Sequence, residues 1–252
     1  MLRKTAFASA LGVGILLAVS TGAAAAFDPY TSGTIGYDFS YPQCGAAAPR
    51  ATHFGIVGVN GGYPFTYYNN CLGAEFAAAA KTGNAALYIN TGYDPTYTAL
   101  DGRHMTQDCA TKSQGIAGTP DQQAAWGVGC SEAQRDVAYA ASQSASTPAA
   151  WWLDVETANS WSTTDLTLNQ YTITGIVQTL RSGATVPVGI YSTNSQWSAV
   201  TGGFQAAVDA DWVATGLRTL KRAMASCGSA GFSGAPIWIV QYVTTVDNDY
   251  VC

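Results

Sequence analysis

Short runs rich in β-branched and aromatic residues recur along this chain, several of them separated by one helix's length of sequence. The runs are 34–40, 54–60, 86–90, 150–155, 186–192, 211–215 and 237–242, with 246–251 as an eighth. Helical stretches stand between them. One spans 72–81 and stops at Gly83. Another opens at Ser131, with Gln134 three residues on as a capping box, and runs to Ser144. A third starts at Thr164 or Asp165; Ile173, Ile176, Val177 and Leu180 give it one apolar face, and Gly183 closes it. Strands alternating with helices pair in parallel, because the helix carries the chain back to the same end of the sheet. Within one domain's length this leaves a closed β/α barrel or a doubly wound open sheet. No glycine-rich dinucleotide fingerprint is present, which disfavours the open sheet. The expected fold is therefore α/β, a single-domain TIM-like (β/α) barrel. Residues 91–130 are polar and glycine-rich, and read as a stapled insertion or functional loop.

In such a barrel, side chains at the C-terminal ends of the strands line the active site. Acids fall there. Asp38 is late in the first strand, Asp154 and Glu156 end the fourth, and Asp247 and Asp249 lie by the last. Strand alternation turns Asp154 and Glu156 to one face, their Cα atoms about 7 Å apart at a rise of roughly 3.3 Å per residue. Two carboxyl groups so placed reach one glycosidic bond: one protonates the leaving oxygen, and the other meets the positive charge that develops at the sugar. The blander alternative is that both acids end a strand and cap the next helix. Tyr41, Tyr93, Trp161, Tyr191, Trp197, Trp212 and Tyr242 lie near the same rim. Their rings either stack on sugar faces or pack in the core. Asn60, Asn90, Asn194 and Gln241 offer amides to hydroxyl or acetamido groups, or serve as turn residues.

Other features bound the function. Arg3 and Lys4, an apolar stretch over 6–19 and Ala24-Ala25-Ala26 read as a signal peptide over 1–26, leaving 27–252 as the mature domain. The apolar stretch is shorter than the ~20 residues that span a bilayer. The protein is expected outside the cell, off the membrane once the signal is removed, and monomeric. Cys44, Cys71, Cys109, Cys130, Cys227 and Cys252 then read as three disulfides. Of about fifteen connectivities, pairing in sequence order is favoured because it closes three local loops. A formal net charge of −5 argues against nucleic acid or anionic lipid as partner and leaves neutral polysaccharide open. With only His53 and His104, a Ser-His-Asp triad is disfavoured, and no P-loop or HExxH pattern occurs. No cofactor or metal is expected: cysteines and histidines are not spaced for zinc. The acids could hold a hard cation, but a carboxyl pair also works without one.

Four motifs occur in order along residues 27–252: Asp38-Phe39-Ser40-Tyr41-Pro42-Gln43, Leu153-Asp154-Val155-Glu156, Gly189-Ile190-Tyr191-Ser192 followed by Trp197, and Trp238-Ile239-Val240-Gln241-Tyr242 with a closing acid. Together they resemble glycoside hydrolase family 25, the lysozyme-like muramidases that cut bacterial cell-wall peptidoglycan. The resemblance implies a barrel whose last strands lack regular intervening helices, which suits the irregular stretch past 192. It implies Glu156 as general acid/base. Asp154 would stabilise the developing charge or orient the substrate's N-acetyl group, and Asp38 with Asp247 or Asp249 would line the same pocket. With Asn60, Asn90, Tyr93, Tyr191, Trp197 and Gln241, these acids make the expected substrate-binding set. Three segments depart from the family pattern: Val57-Gly58-Val59-Asn60-Gly61-Gly62, Tyr88-Ile89-Asn90-Thr91-Gly92-Tyr93, and Asp247-Asn248-Asp249 in place of Asp-x-Asn. The expected function is a retaining-type glycosidase acting on peptidoglycan or a related polysaccharide. The alternative is a non-catalytic carbohydrate-binding protein on the same scaffold, which the altered strand ends favour.

Overall fold

The computed structural model describes residues 27–49, 52–183 and 185–252. The signal-peptide reading of 1–26 lies outside the described residues. Eight strands close into a barrel in sequence order. They are β1 (Ile35–Phe39), β2 (Phe54–Gly58), β3 (Asn84–Asn90), β4 (Trp151–Asp154), β5 (Val188–Ser192), β6 (Ala210–Leu217), β7 (Ile237–Val243) and β8 (Asp247–Val251). The α-helices among the described residues are α1 (Leu72–Thr82), α2 (Gln107–Ser113), α3 (Pro120–Ser142), α4 (Leu166–Gly183), α5 (Asn194–Thr201) and the short α6 (Leu220–Ala223).

Strands β1 to β7 pair in parallel, each with the next. The expectation of parallel pairing fails at β8, which runs antiparallel to both β7 and β1. The connection explains this. Val243 pairs with Asp247 across a tight turn, closed by the Thr244 N–H donating to the Val246 carbonyl (3.0 Å). No crossover fits in so short a link.

Period-two alternation sorts the strand side chains into two layers. Phe54, Ile56, Ala86, Trp152, Trp212, Ile239 and Val251 fill the barrel interior. Val57, Leu87, Ile89, Trp151, Leu153, Val188 and Ile190 pack outward with the helices. The large interior rings need room on the neighbouring strand, and glycine supplies it. Gly36 sits beside Phe54 and Gly189 beside Trp152 in the strand register, and a Cβ at either would collide with that ring.

Residues 91–130 are largely ordered structure rather than loop. They hold a 3₁₀ turn (Pro95–Thr98), α2 and the first half of α3. Helix α3 opens at Thr119, not Ser131. The Gln122 N–H donates to the Thr119 hydroxyl (3.3 Å), the Thr119 N–H donates to Gln122 Oε1 (2.9 Å), and Pro120 takes the first helical position. Ser131 lies inside the helix and donates to the Gly127 carbonyl. The glycines that give this stretch its loop-like composition serve packing. Gly129 lies against the Thr172 backbone and Gly175 against the Trp126 backbone, so α3 and α4 meet main chain to main chain. Disulfides join Cys44 to Cys71, Cys109 to Cys130 and Cys227 to Cys252, in sequence order, and no cysteine is free. Among the described residues, no helix is long and apolar enough to cross a membrane.

Candidate active site

Strand β4 ends at Asp154, level with Asn90 on β3 and Tyr191 on β5. The chain beyond it is held from both sides. Thr91 donates its N–H (3.1 Å) and its hydroxyl (2.7 Å) to the Asp154 carbonyl. The Val155 N–H donates to the Tyr191 carbonyl (2.9 Å), and the Ser192 hydroxyl donates to the Val155 carbonyl (2.7 Å). These bonds keep Asp154 and Glu156 on one side, where each charge bears on the same neighbours. The exit turn is fixed by the Trp161 indole N–H, which donates to the Glu156 carbonyl (2.8 Å). Gln196 on α5 accepts from the Thr157 N–H (2.7 Å) and turns its amide N–H toward Glu156 Oε1 (3.4 Å). Sequence reasoning missed Gln196; its signal was its place in the first turn of a helix that follows a strand's C-terminal end.

The opposite wall comes from β1, β7 and β8. The Tyr191 hydroxyl donates to Gln241 Oε1 (2.9 Å), and Gln241 Nε2 donates to Asp38 Oδ2 (2.9 Å). Tyr191 thereby sets which way the Gln241 amide faces. Behind Asp38 lies Asp249, fully buried, with Oδ1 accepting from the Trp212 indole N–H (2.8 Å). Asp247 stands at the start of β8, partly exposed. Tyr88, two residues before Asn90 and on the same face of β3, also belongs here: it feels the charges of Asp38, Asp154 and Asp247. Gly58 makes space for it, since a Cβ there would lie 2.7 Å from Tyr88 Cζ.

Burial of several acids in a small volume favours their neutral forms. Burial, then the charges of Glu156 and Asp38, push Asp154 well above the usual carboxylate range. Its Oδ1 is buried and has no donor. Burial and then Asp247 raise Asp38 to about 7, against the lowering effect of its bonds to Gln241 and Asp249. Burial and then Asp38 drive Asp249 well upward, and burial raises Asp247. Burial likewise keeps the Tyr88 and Tyr191 hydroxyls protonated. Among the described residues, no three His, Cys, Asp or Glu side chains are grouped to hold a metal ion.

Three residues expected to touch substrate are used up elsewhere. Asn60 grips the end of β3: its Oδ1 accepts from the Asn90 N–H (2.8 Å), while its Nδ2 donates to the Asn90 carbonyl (2.9 Å) and to Glu132 Oε1 (2.9 Å). It stands behind the site rather than in it. Tyr93 is buried with Ala125 and Val128 of α3. Trp197, 1% exposed, packs on Phe232 in the outer layer and donates its indole N–H to the Phe204 carbonyl. The structure gathers Asp38, Asn90, Asp154, Glu156, Tyr191, Gln241, Asp247 and Asp249 at the mouth, with Asp249 below the surface layer. Of the other rim aromatics, Trp212 is interior and Tyr242 packs against Val240 and Ala223 on the outside.

A family profile described as lysozyme-like protein 1 matches residues 122–213, the segment that carries Asp154 and Glu156. No curated protein matches the sequence. Among solved structures, the chain is similar to the bacterial lysozyme from Streptomyces coelicolor, at 17% identity, with 88% of this chain and 93% of that one covered and a TM-score of 0.53. It is similar to a muramidase from Trichobolus zukalii at 13% identity, with 87% and 93% covered and a TM-score of 0.51. The modular autolysin LytC from Streptococcus pneumoniae, solved with a synthetic peptidoglycan ligand, overlaps at 12% identity, with 86% of this chain and 46% of that one covered and a TM-score of 0.50. At these identities the likeness is one of fold. The chain resembles the family-25 lysozymes in its barrel, and the profile match, over residues 122–213, includes β4 and the two acids at and just past its end.

Proposed function

We propose that this chain is an exported lysozyme-like glycosidase that cleaves peptidoglycan or a closely related amino-sugar polysaccharide. The observation that carries the reading is the pair Asp154 and Glu156, held on one side of the barrel mouth by hydrogen bonds from Thr91 and Ser192. Glu156, partly exposed and approached by the Gln196 amide, is placed to protonate a leaving oxygen and then to activate water. Asp154 has one buried, unpartnered oxygen and a raised pKa. That favours the acetamido role over a bare charge: once ionised, such a carboxyl accepts the N–H of a substrate amide and takes its proton as the acetamido oxygen bonds to the anomeric carbon, while the leaving oxygen departs with the proton of Glu156. Gln241 and Tyr191 would set Asp38 against the same sugar. Three disulfides suit an oxidising compartment.

The test is release of reducing ends from purified bacterial cell walls by wild type and single variants, with thermal melts as folding control. Glu156→Gln keeps the shape and loses the transferable proton, so release should fall about 10²–10⁴-fold with little change in melting temperature. Asp154→Asn should also slow release, and the double variant should lose less than the product of the two. Wild-type activity in Glu156→Gln would refute the assignment. Glycan binding with no release by wild type would select the non-catalytic reading.

A further inference from the structure

We propose that Asp249 is a positioning residue: a neutral carboxyl, clamped by the Trp212 indole, that donates its proton to Asp38 and holds the Asp38 carboxylate toward the barrel mouth. The inference deepens the proposed glycosidase reading and rests on it for its kinetic consequences, though not for the protonation itself.

Hydrogen-bond accounting carries it. Asp249 Oδ1 takes the Trp212 N–H at 2.8 Å. Its Oδ2 is buried and meets no donor. The polar side chain within hydrogen-bonding reach is Asp38. Two ionised carboxylates facing one another out of water would repel with nothing between them. A single proton resolves this. Asp38 Oδ2 already accepts from Gln241 Nε2, so Asp38 is being used as an acceptor. Asp249 is the more buried of the two and is cut off from solvent by Trp212 and the β1 strand it pairs with at Gly36. The proton therefore resides on Asp249, whose Oδ2–H donates to Asp38. Every polar atom of Asp249 then has a partner, and Asp38 keeps one negative charge between two donors.

Other groups facing the pair are Asp247 on β8, Asp154 on β4, Tyr88 on β3, Tyr191 on β5 and Tyr30 before β1. The tyrosines stay neutral, and Asp247 makes a second charge near Asp38 costlier. Loss of the Asp249 proton at high pH would put two adjacent charges in the barrel and turn Asp38 away from its donor. That event sets an alkaline limb on activity.

Two measurements test this. Infrared difference spectra at neutral pH, wild type minus Asp249→Asn, should show the C=O stretch of a protonated carboxyl. Absence of that band overturns the proposal, whether or not the protein cleaves glycan. In cell-wall hydrolysis, Asp249→Asn supplies a permanent N–H donor, so the alkaline limb should move up by about one pH unit or more. Asp249→Leu removes the donor and should cost roughly 10–100-fold in kcat. Equal losses in both variants with an unmoved limb would overturn the positioning role. If Asp249→Leu does not fold, the infrared band and the Asp249→Asn profile decide alone. A wild type that releases nothing refutes the glycosidase reading and leaves the infrared result to stand by itself.

Discussion

Asn60 determines where β3 ends and what lies behind the site. One amide takes the main-chain N–H and carbonyl of Asn90 and also satisfies Glu132. Removing it strands three buried polar groups. Asn60→Ala should cost about 2–5 kcal/mol, from roughly 1–3 kcal/mol per orphaned group with partial relaxation. A thermal melt should fall by about 5–15 °C, taking roughly 2–4 °C per kcal/mol for a domain of this size. Asn60→Asp is the sharper probe. It replaces a donor with a carboxyl beside Glu132, so its melting temperature should recover toward wild type in acid, where the new group is protonated. The sequence showed Asn60 only as an amide near a strand end. Its partners come from β3 and α3, so its identity as a clamp could not be read locally.

At the scale of elements, the α3–α4 contact is the feature that composition misrepresents. Gly129 and Gly175 let two helices approach until backbones touch. Alanine favours a helix over glycine by about 1 kcal/mol. Here the added methyl would meet a carbonyl rather than a soft side chain, and overpacking costs typically about 1–3 kcal/mol or more. Gly129→Ala should therefore lower the melting temperature despite its better propensity, by roughly 2–8 °C. Gly183→Ala, with nothing within 4 Å of the new Cβ, is the internal control and should leave the melt unchanged or slightly raised. If both substitutions stabilise equally, the close crossing is wrong. The capping box at Thr119 was as visible in the sequence as the one read at Ser131. What hid it was a glycine-rich stretch that only makes sense once α4 is in place.

Taken whole, the described residues bury more carboxyl groups than they pair with cations. Asp38 and Glu132 are raised to about 7 and Asp211 to about 6, each chiefly by burial. Asp136, Asp154 and Asp249 are pushed higher, again chiefly by burial. Glu132 and Asp136 stand one turn apart on α3, and neither Asp136 oxygen has a donor. A raised folded-state pKa means that the folded chain holds protons the unfolded chain releases near pH 4. Such groups contribute their full stability below that value and lose it as pH rises through the folded pKa. Asp94 and Asp108 act in the other sense, held down by hydrogen bonds from Thr96 and from Lys112 respectively, so their contribution fades in strong acid. The melting temperature should peak near about pH 4–5 and fall steadily toward pH 7 and beyond. Scanning calorimetry from pH 3 to 9 checks this, and Asp136→Asn should flatten the fall. A melting temperature that climbs between pH 5 and 8 would contradict the burial of these acids.

The alternation of strands and helices, the shared face of Asp154 and Glu156 and the local pairing of cysteines were all legible in the sequence. Each is a short-range property: a two-residue period, a 3.6-residue period, or a sequence separation of 21 to 27 between paired cysteines. The antiparallel entry of β8, the early start of α3 and the withdrawal of Asn60, Tyr93 and Trp197 from the mouth were decided by tertiary structure. So was the facing of Asp38 and Asp249. Asp38 meets Gln241 across a sequence separation of 203, and no local periodicity carries that information. Only closure of the barrel, with β8 filling the gap between β7 and β1, brings the first strand's acid against the last. Once they meet, burial rather than sequence assigns the proton.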